Sequence, residues 1–500
     1  MPTKSDGLIE SGTGNRLLFF AGALLVLMAF AFQGSRGLYE STEGRYAECA
    51  RQSMEQGTLD EPVLNGEPHW SKPPLTYYCI AAGLAVLGNN AWGARIGLAF
   101  AFVLTVWAVY RTACLVWGTR AGVFSGIAYG FSAFVPAAAS VLTTDTYLAL
   151  WEALVLWAFW SAIRRQRAVS MALMWLCFGF AFLTKGFPAL LCLAAPLAAH
   201  VVLRRSGESV PRFFNPIGVV LFLSVGLSWY VVKSVTHHGL LQYWLMDEGV
   251  GRNVLGESNR NAQFYKPLTI YGPVLLAGVF PWAGFLLWHV RRIPWPAGRW
   301  LRVNTWPFPV EWVFILTGTL LPLGVLCLST SRMPMYVLPL FAPIALGLGK
   351  GLDFLVDRQH LRRRTIAVTM AAVALFVIAF KAGGAYVVDS PRNMEHLARD
   401  VKPLLNHYPS HALHVLKQNP MYGLQFYLNQ ERVDKVRLED LGQVIGKARA
   451  GAPQLCLIAK KFDQQPLDLL SGLPFEVIKV NRAWTLIVLP PIPATTPAAP

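Results

Sequence analysis

Glu43 and Glu48 belong to the segment Thr42-Glu43-Gly44-Arg45-Tyr46-Ala47-Glu48, and Lys72 opens Lys72-Pro73-Pro74-Leu75 a short way on. Asp145 begins an apolar run in Thr143-Thr144-Asp145-Thr146-Tyr147. Lys185 sits in Thr184-Lys185-Gly186-Phe187-Pro188, and Arg332 in Ser329-Thr330-Ser331-Arg332-Met333-Pro334-Met335-Tyr336. A carboxylate beside an acceptor oxygen can remove its proton as a general base. Lys and Arg pair with phosphate oxygens, so the set Arg45, Lys72, Lys185, Arg252, Arg260, Lys266 and Arg332 has the character of an anion receptor. A phosphate or pyrophosphate carried on a lipid is the guest this chemistry suits.

Each residue also has a plainer role. A lone cation at a helix end usually snorkels to the headgroups. Asp145 can serve as a helix cap after Thr143-Thr144, and Glu248 and Arg252, four apart, can form a helical ion pair. Glu152 follows Asp145 on the same helical face and suits a hydrogen bond to a neighbouring helix. Lys72 is harder to set aside, because Pro73 and Pro74 restrict the backbone at and before them and so define its position.

The elements that must place these residues are membrane helices. With 54% hydrophobic and 14% charged positions in 500 residues and a mean hydropathy of +0.41, the composition is that of a polytopic membrane protein. Spans are expected near residues 15–34, 93–112, 120–139, 145–163, 168–183, 187–203, 215–234, 268–290, 309–329, 334–350 and 365–386. That makes eleven, with thirteen as the alternative. The first is expected to be a retained helix, since no small-residue cleavage site precedes Arg36. Much of the +16 formal charge lies in basic clusters between spans, at 111–120, 164–167, 204–205, 291–302 and 358–364. A cytoplasmic N-terminus puts all of them inside and sends the C-terminal segment outside. The stretch Pro74 to Leu87 is expected to lie along the membrane surface. A basic stripe with interleaved aromatics is lacking, which argues against nucleic acid.

Two long external loops, 33–92 and 235–267, then carry most of the candidate residues. In the first, Ser41 or Thr42 caps a helix, Glu43 sits in its first turn and Gly57 ends it. Tyr46, Ala50 and Met54 give that helix an apolar face. Beyond a membrane domain of residues 1–386, the stretch 387–489 reads as a small α/β domain. Its expected helices are 393–406 and 437–449, and its strands 412–417, 454–459 and 475–488. Residues 490–500 are expected to be a disordered tail. The seven cysteines show neither a CxxC pair nor metal-ligand spacing, and Cys49 with Cys79 is the one pair worth weighing as a disulfide. No cofactor is firmly implied, though the carboxylates leave room for a divalent metal.

Taken in order, Glu43-Gly44-Arg45-Tyr46-Ala47-Glu48, Lys72-Pro73-Pro74-Leu75, Asp145, Thr184-Lys185-Gly186, Glu248 with Arg252, Pro281-Trp282 and Arg332-Met333-Pro334-Met335-Tyr336-Val337-Leu338-Pro339 resemble the GT-C glycosyltransferases that use polyprenyl-phosphate sugars. Within them the pattern is most similar to the bacterial lipid A aminoarabinose transferases and the protein O-mannosyltransferases. The resemblance implies an all-α membrane domain, with external juxtamembrane helices, in the bacterial inner membrane, and an active site and C-terminal domain facing the periplasm. It implies a sugar carried on undecaprenyl phosphate, inversion at the anomeric carbon, and an envelope acceptor. Lipid A is expected first, then a protein or polysaccharide acceptor of mannose or another hexose. Lys72 and Arg252 would hold the lipid-linked phosphate, helped by Arg45, Lys185 and Arg332. Glu43 and Asp145 would stand where acceptor meets sugar, with Thr42, Tyr46, Glu48, Glu248 and Tyr336 lining the cavity.

Relatives commonly carry an Asp-Glu pair where this chain has Thr42-Glu43, so either Glu43, Glu40 or Asp145 is the base or the acceptor does not require a strong one. A lipid-linked sugar flippase is the reading from another class. It predicts internal repeats and charges through both membrane halves, whereas here repeats are lacking and the candidate residues collect at one face. A polytopic scaffold would leave the conjunction of Glu43, Lys72, Asp145 and Lys185 without a cause.

Overall fold

Apolar runs in hydrocarbon must satisfy their backbone internally, which makes them helices. The computed structural model describes residues 12–255, 261–292, 309–387, 390, 392–408, 411–416, 421–429, 433–459, 468, 470, 473–480 and 482–490. Among these, eight helices are long and apolar enough to cross a membrane, and the pair Lys266–Val279 and Trp282–Trp288 makes a ninth if its two parts are one span. The protein is thus a multi-pass membrane protein.

The eleven expected spans are not eleven straight helices. The pair at 268–290 is bent by 78°, because Pro281 has no N–H to continue the ladder and its ring excludes the preceding turn. The stretch 120–139 divides into Thr119–Gly130 and Phe134–Ala138, where Gly130 and Pro136 weaken helix propagation. Spans at 187–203 and 334–350 begin as 3-10 turns, Phe187–Leu193 and Pro334–Leu340, each with proline in its first turn. The stretch after Pro74 forms a helix of 13 residues, Leu75–Leu87; at about 1.5 Å per residue it is shorter than the ~30 Å hydrocarbon core.

The chain divides into two compact units. The first comprises Met1–Gln33, Trp70–Thr76 and Arg95–Lys381, and the second Gly34–His69, Tyr77–Ala94 and Ala382–Pro500. In the first, the helices Thr144–Arg165 and Ala168–Lys185 pack closely on one another. They are joined through Gln166 at φ +52° and Arg167. Helices of 22 and 18 residues turned back so tightly bring the start of one and the end of the other to the same level, and those ends carry Asp145 and Lys185. Elsewhere in this unit Thr119–Gly130 packs on Phe341–Asp357. A Cβ at Gly349 would lie 2.4 Å from the Ser125 backbone, an approach that only glycine permits. Arg120 secures the same pair, with Nη1 2.8 Å from Asp357 and Nε on Asp353.

In the second unit the amphipathic helix is Thr42–Glu55, with Ser41 at its N-cap and Glu43 in its first turn. Gly57 follows it at φ +71°. A short hairpin of β1 (Val63–Leu64) and β2 (Glu67–Pro68) comes next. The C-terminal strands β3 (Ala412–Leu416), β4 (Asp434–Val436), β5 (Gln454–Ala459), β6 (Glu476–Lys479) and β7 (Trp484–Leu489) form one sheet in the order β4-β3-β5-β7-β6. It is parallel across β4-β3-β5 and antiparallel across β5-β7-β6. The expected strand 475–488 is therefore a hairpin. The helices are Met394–His407, Tyr422–Leu428 and Leu441–Arg449. Asn393 caps the first by accepting from the Glu395 amide at 3.2 Å. Strands β5 and β7 are buried along their whole length, which makes them the spine of the sheet.

The helix Thr42–Glu55 packs on Tyr422–Leu428. A Cβ on Gly44 would come within 2.4 Å of the Gly423 nitrogen. Arg51 donates to Asn429 Oδ1 at 2.9 Å, Gln425 donates to Asn65 at 2.8 Å, and the Leu38 amide donates to the Tyr427 hydroxyl at 2.9 Å. Cys49 and Cys79 are both free thiols.

Candidate active site

The hairpin of helices in the first unit delivers Lys185 onto Asp145, where the ammonium and carboxylate form a salt bridge. The Asp145 amide donates to the Thr143 hydroxyl at 3.3 Å, so Thr143 is the cap and the Asp145 side chain is left for Lys185. The Lys185 ammonium also lies 4.3 Å from the centroid of the Tyr336 ring. Tyr336 arrives on the Pro334–Leu340 turn, which packs against Thr144–Arg165. At the adjoining Gly186, φ is +72° and a Cβ would stand 2.8 Å from the Tyr230 hydroxyl. Glycine is required there on both counts.

A second ion pair lies in the same unit. Lys72 Nζ is 3.3 Å from Glu248 Oε2 and donates to the Ser71 carbonyl at 2.6 Å. The Tyr243 hydroxyl donates to Glu248 Oε1 at 3.1 Å. Glu248 is carried on the π-helix Tyr243–Leu255, a wide helical form that recurs at functional sites. Trp244 of that helix donates its indole N–H to the Trp70 carbonyl at 2.9 Å, which docks the segment leading into Lys72. The expected Glu248–Arg252 pairing falls outside the described residues, because the side chain of Arg252 does, as do Glu257 and Arg260.

One aromatic cluster adjoins both pairs. Trp229, Leu240 and Trp244 form its buried centre, with Trp70, Leu183, Tyr230 and Tyr243 packed on it. Trp70 is two residues from Lys72, Leu183 is two from Lys185, and Tyr243 holds Glu248. The segments that carry the two lysine–carboxylate pairs thus pack into one aromatic wall. Among the described residues no three His, Cys, Asp or Glu side chains form a metal-ligand set.

Arg332 is buried, and its terminal nitrogens donate to the carbonyls of Asn261 at 2.7 Å, Gln263 at 3.1 Å and Cys327 at 2.9 Å. Expected as a phosphate ligand, it ties a loop to a helix end, and its Nε alone has no partner among the described residues. Lys266 opens the helix Lys266–Val279 and stands over the Tyr265 ring at 5.6 Å.

Glu43, Arg45, Tyr46 and Glu48 fall in the second unit. Glu43 is buried and accepts from Arg36, with Nη2 to Oε1 at 3.0 Å, and from the Tyr39 amide at 3.1 Å. Glu48, fully buried, accepts from Arg51 at 2.7 and 2.8 Å and from Gln52 at 2.6 Å. Burial pushes the Glu48 carboxyl above its ordinary range and the Arg51 guanidinium draws it back. Arg45 lies over the Tyr46 ring at 5.4 Å and its Nε has no hydrogen-bond partner. Thr42 opens the helix. Glu40 accepts from the Gly423 amide, while its Oε2 is buried without a partner. Burial pushes its pKa up to about 7, against the lowering effect of that amide.

Arg36, Tyr230 and Tyr243 carry the geometry without having stood out in the sequence. An aromatic in an apolar run reads as interfacial or core packing, and nothing local marks its hydroxyl as engaged.

The family model described as dolichyl-phosphate-mannose-protein mannosyltransferase matches residues 71–246, a range that contains Lys72, Asp145 and Lys185. An undecaprenyl phosphate-alpha-4-amino-4-deoxy-L-arabinose arabinosyl transferase of Pseudomonas savastanoi is 32% identical over 65% of this chain and 60% of its own length. One from Pseudomonas fluorescens is 28% identical over 75% of this chain and 66% of its own. The chain spans about 60% of the length of several curated relatives it matches. The crystal structure of ArnT from Cupriavidus metallidurans bound to undecaprenyl phosphate superposes with a TM-score of 0.75 at 19% identity, covering 96% of this chain and 98% of that one. The chain has the fold of the GT-C glycosyltransferases, and the relatives it resembles are the undecaprenyl-phosphate-aminoarabinose transferases.

Proposed function

We propose that the protein is a glycosyltransferase of the bacterial inner membrane that moves a sugar from undecaprenyl phosphate to an acceptor of the cell envelope. The acceptor read first is lipid A, and the sugar an aminoarabinose, with the reacting groups facing the periplasm. The observation that carries this is the pair of lysines, Lys72 and Lys185, each held by a carboxylate beside one aromatic wall.

Held cations of this kind suit a lipid-borne phosphate. As the glycosidic bond breaks, the departing phosphate gains negative charge, so fixed ammonium groups stabilise the transition state more than the ground state. Glu248 and Asp145 keep Lys72 and Lys185 charged and oriented until the phosphate competes for them. An incoming phosphate that takes up Lys185 frees Asp145 to accept a proton from a hydroxyl acceptor; a phosphate acceptor, as on lipid A, scarcely requires that step. Attack from the face opposite the phosphate inverts the anomeric carbon. In the second unit, Glu43 and Glu48 are engaged by Arg36 and Arg51, and their role is to hold the first-loop helix.

Transfer of mannose or another hexose to protein is the second reading, favoured by the description of the family model that matches residues 71–246. Mass spectrometry of lipid A and of envelope proteins, from cells with and without the chain, decides between them. A pentosamine increment on lipid A supports the first, a hexose increment on protein the second, and no increment on any envelope component contradicts both.

A further inference from the structure

The Tyr271 hydroxyl is buried deep in the first unit and has no place in the arrangement above. Tyr271 is 1% exposed, and its oxygen has no hydrogen-bond partner among the described residues. It lies in the helix Lys266–Val279, which packs against the Pro334–Leu340 turn that carries Tyr336. Its electrostatic neighbours are Tyr336, Arg332, Cys327 and Asp145. Arg332 contributes a second orphan donor, its buried Nε.

A buried hydroxyl without a partner destabilises the fold that contains it, and phenylalanine would fill the same space without that penalty. The hydroxyl therefore does nothing for the ligand-free fold. Two orphan donors, Tyr271 Oη and Arg332 Nε, stand in a neighbourhood that includes Tyr336 and, beneath its ring, Lys185. The Asp145 carboxylate nearby is engaged by Lys185 and meets neither donor, and an anionic oxygen of a ligand would satisfy both.

We propose that Tyr271 is a ligand-binding residue whose hydroxyl donates a hydrogen bond to a phosphate oxygen of the polyprenyl-phosphate donor. The proposal rests on the donor reading given above and extends it to a residue on the bent helix pair.

The test compares wild type with Tyr271→Phe, each as the full chain in detergent, with undecaprenyl phosphate as the probe. The expected result is a ligand-free melting temperature for Tyr271→Phe equal to or above wild type, together with about tenfold weaker binding of undecaprenyl phosphate, the loss of one hydrogen bond to a charged acceptor. Inorganic phosphate as a separate arm tells whether the headgroup alone suffices, which a tenfold difference between the two proteins there would show. A wild type that binds undecaprenyl phosphate no better than Tyr271→Phe overturns the proposal. So does a ligand-free Tyr271→Phe that melts several degrees lower, since the hydroxyl would then have a structural partner. A wild type that does not bind undecaprenyl phosphate at all overturns the donor reading along with it.

Discussion

Lys185 and Asp145 are 40 residues apart in sequence and form a salt bridge in which the lysine side chain is 10% exposed and the aspartate 5%. A charge pair so well shielded from solvent is held by geometry, here two antiparallel helices of nearly equal reach. Lys185 of this pair stands over the Tyr336 ring, and Leu183, on the same helix, packs into the aromatic cluster that includes Trp70.

Removing one partner of that pair leaves a buried charge uncompensated. Asp145→Asn and Lys185→Met should each destabilise the protein by about 3–5 kcal/mol. The double variant should lose less than the sum, by about 1–3 kcal/mol. Thermal melting of the four proteins in one detergent measures the cycle. Additive losses would show that the two side chains are not coupled.

Transfer should fall about 10²- to 10³-fold in Lys72→Ala, the loss that follows removal of one group stabilising developing charge. Membrane insertion and yield should be unchanged, because the bonds of Lys72 to Glu248 and to the Ser71 carbonyl are polar bonds of its ammonium. Glu248→Gln keeps an oxygen for Tyr243 and for Lys72 and should lower transfer by less. Single-turnover rates with a lipid-linked donor check the ranking, and a Glu248→Gln loss as large as that of Lys72→Ala would reverse it.

Asp145→Asn should lower turnover of a hydroxyl acceptor more than Glu43→Gln does. Glu43 already accepts from Arg36 and the Tyr39 amide, so its neutralisation should appear first as a loss of thermal stability of about 1–3 kcal/mol. Assays of both variants at equal folded concentration separate the effects. Full turnover in Asp145→Asn would mean that no base is needed there.

Glu40 offers a pH signature. Burial raises its pKa to about 7 from the ordinary ~4.3 of the unfolded chain. The folded state then holds the proton over that window while the unfolded state has released it, and stability falls as pH rises. The contribution is fully present below about pH 4.5 and lost by about pH 7. Glu40→Gln keeps an acceptor for the Gly423 amide and carries no charge. Its melting temperature should match wild type near pH 4.5 and exceed it by several degrees above pH 7, in a series of melts read as the difference between the two proteins. A difference that does not change with pH would contradict the assignment.

Much of the scaffold is legible from apolar runs and their punctuation, and the helix Thr42–Glu55 follows from the four-residue spacing of Tyr46, Ala50 and Met54, while Ser41 stands at its N-cap without a side-chain capping bond. Lys72, Asp145 and Lys185 stand out because charge at a span end requires a reason. Their pairings do not, since each depends on a fold-level event. Asp145 meets Lys185 only through the hairpin, and Glu248 meets Lys72 across 176 residues of sequence. For Glu248 the sequence offers Arg252 at helical spacing, and nothing local marks Lys72 as a partner. The orphan hydroxyl of Tyr271 is invisible for the same reason, because tyrosine in an apolar run has a sufficient explanation in packing. Bends are half legible: proline marks where Lys266–Val279 must break, and not the 78° that results.

The most direct measurement is mass spectrometry of a reconstituted reaction, in which the purified protein meets undecaprenyl phosphate-linked aminoarabinose and lipid A in one membrane mimetic. The account predicts lipid A heavier by one aminoarabinose, release of undecaprenyl phosphate, and both products formed about 10²- to 10³-fold more slowly with Lys72→Ala. Lipid A and donor both unchanged with wild type, or equal product from Lys72→Ala, would contradict it.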